Sequence, residues 1–376
     1  MGTSANLAHV VAWGGFVIGI VIGFIGNKTH FCTLGAVSDL VNMGDWGRMR
    51  MWLLAIGIAI LGANGLELLG LVELNRSIYR TPSFPWLSYL FGGFLFGAGM
   101  TLASGCGTKT LIRIGNGNLK AIVVFLVLGV VAYMSLRGAL GVVRVGALEP
   151  VAIQFPGGQD LPTLLSRATG SDRRTLQIVV AGVLGGGLIL FALARRDFWT
   201  VDHLLGGIAV GLSIVAGWYL TGYVGYGESP DTLEMTHFGT NSRGPESVTN
   251  VVPFAYTLEL LMLWTDASRT VTFAIASVFG IVAGSAAHSV LTGRFRIEGF
   301  RTAEDTGNHL IGAALMGFGG VVAMGCTFGQ GITGVSTLAL GSIVTFFAIV
   351  AGAWATIKVQ YWRIRQEVDA HPGRAE

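Results

Sequence analysis

Charge is what this chain has least of. Only 12% of its 376 residues are Asp, Glu, Lys or Arg, against about 25% in soluble domains. Such a chain cannot cover a water-facing surface, so lipid must be the solvent for much of it. Cysteine is nearly as scarce. Cys32, Cys106 and Cys326 are the three present, and none forms a CxxC pair. An odd, small and widely spaced set is no disulfide framework. A Gly-x-x-x-x-Gly-Lys-[Ser/Thr] loop is missing too. The chain therefore has no phosphate cradle of its own, and any transport is passive, ion-coupled or dependent on a partner. The first apolar segment, Val10–Gly26, has neither a basic stretch before it nor a clear cleavage site after it, so it does not read as a cleavable signal peptide. A net charge of +3 says little about partners, and no nucleic-acid partner is expected.

What is abundant is apolar. Hydrophobic residues make up 52% of the chain, mean hydropathy is +0.64, and there are 57 glycines. Nine stretches are long enough to cross a bilayer at ~20 residues per span: Val10–Gly26, Trp52–Gly70, Leu87–Ala103, Lys120–Leu136, Gln177–Ala194, Val201–Gly222, Thr270–Leu291, His309–Met324 and Thr337–Lys358. A shorter one, Val251–Trp264, carries Glu259 and reads as a partial or tilted helix. With the N-terminus outside, cytoplasmic segments hold 15 basic residues and outer segments 9, five of those 9 in the loop Arg137–Leu176. Long loops obey the positive-inside rule weakly, so the short loops decide. Arg195-Arg196 and Arg294, Arg296, Arg301 anchor an inner membrane protein with its N-terminus out and its C-terminus in the cytoplasm.

The chain repeats itself. Thr29-His30-Phe31-Cys32-Thr33 matches Thr236-His237-Phe238-Gly239-Thr240, and Gly105-Cys106 matches Gly325-Cys326. Four spans fall in each half and one joins them, so the second half starts from the opposite side. The expectation is an all-α polytopic membrane protein built as an inverted repeat, with the site near the midplane. Residues 1–145 form the first half, 146–200 an outer loop and connecting span, 201–360 the second half and 361–376 a cytoplasmic tail. Four polar, Gly-rich segments interrupt the spans: Asn27–Asp39, Ser104–Asn118, Thr236–Asn250 and Gly325–Ser336. Non-helical backbone at membrane depth survives only when packed in protein or lining a cavity. Two such segments from each side would meet at a central constriction.

All three cysteines lie on those segments. A lone buried Cys usually packs as a small hydrophobe, yet none here sits in an ordinary span and two hold matching repeat positions. Thiols are weak donors and soft, polarisable acceptors. They suit an anion with a soft terminal sulfur and hard oxygens, thiosulfate above all, and would hold it weakly enough to let it leave. Three thiolates joined by His30 and His237 could instead bind a soft metal. A thiol activated by Lys109 could carry a persulfide. Thr108, Lys109, Thr327 and Gln330 follow the repeated cysteines and could meet an anion, though Lys109 and Arg113 could equally snorkel to the interface. His30 and His237 are candidate proton carriers or satisfied structural residues. Glu67 and Glu259 sit in apolar stretches without an evident partner.

These motifs resemble the YeeE/YedE family of sulfur-compound transporters. The resemblance rests on His30-Phe31-Cys32-Thr33-Leu34-Gly35, Ser104-Gly105-Cys106-Gly107-Thr108-Lys109 and Gly325-Cys326-Thr327-Phe328-Gly329-Gln330-Gly331, and runs from the first span to the last. It implies an hourglass-shaped transporter, not an enzyme, with nine crossing helices, plunging loops and no cofactor. It also implies thiosulfate uptake, the anion passing along Cys32, Cys106 and Cys326 by S–H hydrogen bonds. Family members handle related sulfur species, so sulfite, sulfide or a persulfide stay open as substrates. Beyond lipid, a small cytoplasmic sulfur-carrier protein would be a fitting partner. Gly239 holds the fourth repeat position, which leaves the constellation with three thiols.

Overall fold

The computed structural model describes residues 2–229, 233–266, 268–300 and 302–370. Helices dominate, since a segment in lipid must satisfy its backbone N–H and C=O groups internally. The first part of the chain forms α1 (Gly2–Lys28), α2 (Thr33–Met43), α3 (Gly47–Leu68), β1 (Ser83–Phe84), α4 (Trp86–Leu102), α5 (Gly107–Gly115) and α6 (Leu119–Arg137). A connecting region follows, with α7 (Ala139–Val143), β2 (Ile153–Gln154), α8 (Leu161–Thr169) and α9 (Arg173–Leu193). The last part forms α10 (Val201–Tyr219), β3 (Tyr226–Glu228), β4 (Met235–His237), α11 (Val252–Met262), α12 (Phe273–Leu291), α13 (Ala303–Val322) and α14 (Leu340–Ala370). The β1–β2 and β3–β4 pairs are short and antiparallel.

The chain is an all-α, multi-pass membrane protein. Each of the nine expected spans has a helix, and among the described residues eight segments are long and apolar enough to cross. The ninth, α13, is 20 residues long but opens with Glu304 and Asp305, so it falls short in composition and not in length. At 11 residues, α11 spans about 16 Å at 1.5 Å per residue, half a bilayer core; it is the partial helix expected over Val251–Trp264.

The packing pairs the two parts of the chain reciprocally. α1 lies along α12 as α10 lies along α3, and α4 lies along α14 as α13 lies along α6. The short elements obey the same rule: α2 packs on α3 and α14, and α11 on α12 and α6. α9 packs on α3, outside the scheme. Glycine makes the tightest pair possible. A Cβ at Gly23 would collide with the carbonyl of Ile281, and one at Gly284 with that of Ile20, so α1 and α12 approach backbone to backbone.

Two buried polar struts hold the short segments from opposite sides. Asn64 of α3 donates to the Ser336 carbonyl at 2.9 Å, and Ser285 of α12 donates to the Ile112 carbonyl at 2.7 Å. The first strut is charged. Arg80, with 0% side-chain exposure, pairs with Glu67 at 2.7 Å and donates to the Thr337 carbonyl at 2.8 Å. Gln177 and Arg173 also reach Glu67. The second strut is neutral, formed by Asn27, Asn116, Ser285 and Ser289. The connecting region docks here as well: Leu161 N–H donates to the Leu338 carbonyl and Leu340 N–H to that of Gln159.

One expectation needs correction. Thr236–Asn250 is not a single plunging segment. Thr236 and His237 belong to the β3–β4 hairpin, where the His237 ring lies 4.8 Å from that of Tyr226. The chain then runs without regular structure, Ser247, Val248 and Asn250 buried, into α11. The Thr-His-Phe match is therefore a likeness of short sequence without a likeness of backbone. The counterpart of the α2 start is the α11 start, so Thr249–Val251, and not Gly239, takes the fourth place.

Candidate functional site

Each cysteine sits at the same point of the same local device. A long helix ends, the chain reverses at a residue with left-handed backbone, and two residues later a cysteine opens a short helix. The reversals are His30 (φ 53°), Ser104 (φ 58°) and Met324 (φ 59°). The N–H of the next residue bonds back five positions, Phe31 to Gly26, Gly105 to Met100 and Gly325 to Gly320. This is the Schellman closure of a helix C-terminus, a place where glycine is usual. A side chain there costs about 1–3 kcal/mol of strain, a pattern that clusters at functional sites. Cys106 and Cys326 match atom for atom: Thr110 N–H donates to the Cys106 carbonyl, and Gln330 N–H to that of Cys326.

The thiols are buried, with relative exposures of 7% for Cys32, 1% for Cys106 and 0% for Cys326. Cys32 Sγ accepts from Gly35 N–H at 3.5 Å, and Cys326 Sγ from Gly329 N–H at 3.3 Å. Cys106 lies within electrostatic range of both other thiols. Among the described residues, no three His, Cys, Asp or Glu side chains stand close enough to hold one metal ion.

Three buried oxygens in these motifs and the facing loop make no hydrogen bond among the described residues: Thr33 Oγ1, Asn250 Oδ1 and Gln330 Oε1. Buried polar groups ordinarily have partners, so these atoms suit a polar occupant. Thr327 stands beside Cys106, which joins the second part of the chain to the first. Asn250 Nδ2 donates to Thr108 Oγ1 at 2.7 Å and makes a second such joint. Phe31, Trp52 and Phe328 pack ring against ring, with centroids 5.1–5.7 Å apart, between the Cys32 and Cys326 motifs.

Thr327 stands at the Cys106 thiol, Thr108 is held by Asn250, and the Gln330 amide donates to the Ala323 carbonyl at 2.6 Å. His30 is exposed beside Lys109 and Arg48, and half-buried Lys109 has no carboxylate in ion-pair reach among the described residues. Arg113 donates to the Ser104 carbonyl at 3.3 Å and so caps the end of α4. His237 lies apart, on the hairpin. Several neighbours were not singled out from sequence. Thr249 Oγ1 is 4.0 Å from Cys326 Sγ. Tyr79, buried, stands close enough to Cys326 to interact electrostatically. Arg48, paired with Asp39 at 2.7 Å, crowds the backbone at Gly35. In sequence, Arg48 reads only as a cytoplasmic charge and Thr249 only as part of the segment Thr236–Asn250, and no motif marks Tyr79.

Residues 28–355 match the sulphur transport family model. Two relatives are each 24% identical and are each named thiosulfate transporter TsuA. One, from Escherichia coli K12, aligns over 93% of this chain and 94% of its own length; the other, from Spirochaeta thermophila, over 93% and 99%. Both are named as transporters and neither as an enzyme. The family model spans every cysteine motif and the helices from α2 to α13, with almost all of α1 and the second half of α14 outside its bounds, and the chain belongs to the sulphur transport (YeeE/YedE) family.

Proposed function

We propose that the protein carries thiosulfate into the cytoplasm across a bacterial inner membrane, handing it along Cys326, Cys106 and Cys32. The observation that carries this reading is the threefold device: a strained reversal, a buried thiol, and a hydroxyl close behind it at Thr33, Thr108 and Thr327. A thiol offers S–H to the terminal sulfur, while hydroxyls and helix-opening N–H groups face the oxygens. Neutral groups hold a dianion loosely, which permits release. Lys109, Arg48 and Arg113 gather on the side where the basic short loops lie. That side is the cytoplasmic one by the positive-inside rule, and the β3–β4 hairpin then faces outward. The names of the two relatives support thiosulfate over sulfite or sulfide.

The test is uptake of sulfur-labelled thiosulfate by proteoliposomes with excess unlabelled competitor. Unlabelled thiosulfate should suppress uptake and sulfate should not. Suppression by sulfite or sulfide alone would make one of those the substrate. A stable mass adduct on one cysteine after exposure to thiosulfate would point to persulfide chemistry instead.

A further inference from the structure

We propose that a cavity on the hairpin face, away from the cysteines, is a second anion site that takes a small divalent sulfur oxyanion before it reaches Cys326. This deepens the transport reading and rests on it for the identity of the anion. The cavity has a volume of about 350 Å³ and lies among the end of α6, α11, the start of α12 and the loop that follows β4. Arg137, Arg243 and Arg269 line it against one lining carboxylate, Glu259. Glu259 is already met by Arg269 at 3.2 Å, Arg137 at 3.6 Å and the Tyr133 hydroxyl at 3.1 Å. Its charge is spent, and the arginines remain in excess.

Two donors in this wall await an acceptor. Asn241 Nδ2 and Arg269 Nε are buried and make no hydrogen bond; the 3.8 Å ion pair of Arg269 Nε with Asp266 is too long for one. A buried guanidinium N–H and a buried amide N–H without acceptors are costly, and an oxyanion relieves both. Arg243 supplies a third, independent sign. Its backbone is left-handed, φ 53°, a strain that non-glycine residues seldom carry without function. No carboxylate pairs with it among the described residues. Guanidinium groups recognise oxyanions by paired N–H bonds.

The wall of the cavity is tied to the thiols by one loop. The loop that contributes Asn241 and Arg243 continues to Thr249, 4.0 Å from Cys326 Sγ. Glu246 lies on that loop, with Ser242 donating to its Oε2 at 3.2 Å.

The experiment uses the full chain with Cys32, Cys106 and Cys326 all replaced by Ala, in nanodiscs of neutral phosphatidylcholine, and measures thiosulfate binding by calorimetry. Saturable binding should persist without the thiols. Arg243→Gln, and separately Asn241→Ala, should each weaken it at least tenfold with the melting temperature unchanged. Absence of saturable binding by the folded thiol-free protein, or unchanged binding in both variants, overturns the site. A parallel titration in phosphatidylglycerol nanodiscs separates a free anion from a lipid headgroup. Equal affinity in both lipids supports the proposal, and abolished binding makes the cavity a headgroup site and overturns it. Failure of thiosulfate uptake by the wild type, with this binding intact, would sink the transport reading alone.

Discussion

At the scale of single residues, side chains occupy positions where glycine would fold more easily. His30, Ser104 and Met324 adopt left-handed backbone two residues before each thiol. Replacing Met324 or Ser104 by Gly should stabilise the protein by about 1 kcal/mol, because glycine accepts that backbone without strain. Thermal melting would register the gain, and uptake should fall. A variant that loses stability would show that the reversal is not strained. Thr249 stands where the device has no thiol. Thr249→Val should slow uptake while Thr249→Cys retains it, since only the first removes a polar group beside Cys326. His237 gives a pH signature outside the membrane spans. Burial, helped by the Arg76 charge, holds its pKa below the ordinary 6.5. The unfolded chain therefore takes up the proton first as pH falls. The stability associated with neutral His237 is complete above about pH 6.5 and declines below it. Between pH 7.5 and 5.5, His237→Phe should show a shallower fall in melting temperature than the wild type. Parallel curves would contradict this.

At the scale of elements, the two struts differ in kind. The segment after Cys326 is held by Arg80, Glu67 and Asn64, and the segment after Cys106 by neutral amides and hydroxyls. Removing Arg80 takes the closest cation from Glu67 and leaves it Arg173 at 3.5 Å and Gln177, a loss of part of the ~3–5 kcal/mol that an unpaired buried charge costs. Arg80→Ala should lower the melting temperature steeply, and Asn116→Ala should do so only modestly. Equal effects would remove the distinction. Close helix approach gives a second check: Gly23→Leu would drive a side chain into the α12 backbone, and folded yield should collapse.

At the scale of the whole molecule, apolar length made the spans legible, because lipid leaves few alternatives to a helix. The cysteine motifs were legible because Gly-Cys recurs with its flanks, and the backbone repeats there bond for bond. The fourth segment was misplaced. Thr236-His237-Phe238 copies Thr29-His30-Phe31 in letters, but the chain pairs it as a hairpin, and no local pattern marks Thr249 as the counterpart of the α2 start. Glu67 and Glu259 had no evident partner because theirs, Arg80 and Arg269, are joined to them only by tertiary packing. The docking of Gln159–Leu161 on α14 was hidden for the same reason.

The most direct measurement is flux of labelled thiosulfate into proteoliposomes by wild type, Cys32→Ala, Cys106→Ala and Cys326→Ala, each verified as folded by its melting curve. The account predicts flux for the wild type and near-total loss in each variant. Normal flux in all three variants, or none in the wild type, would contradict it.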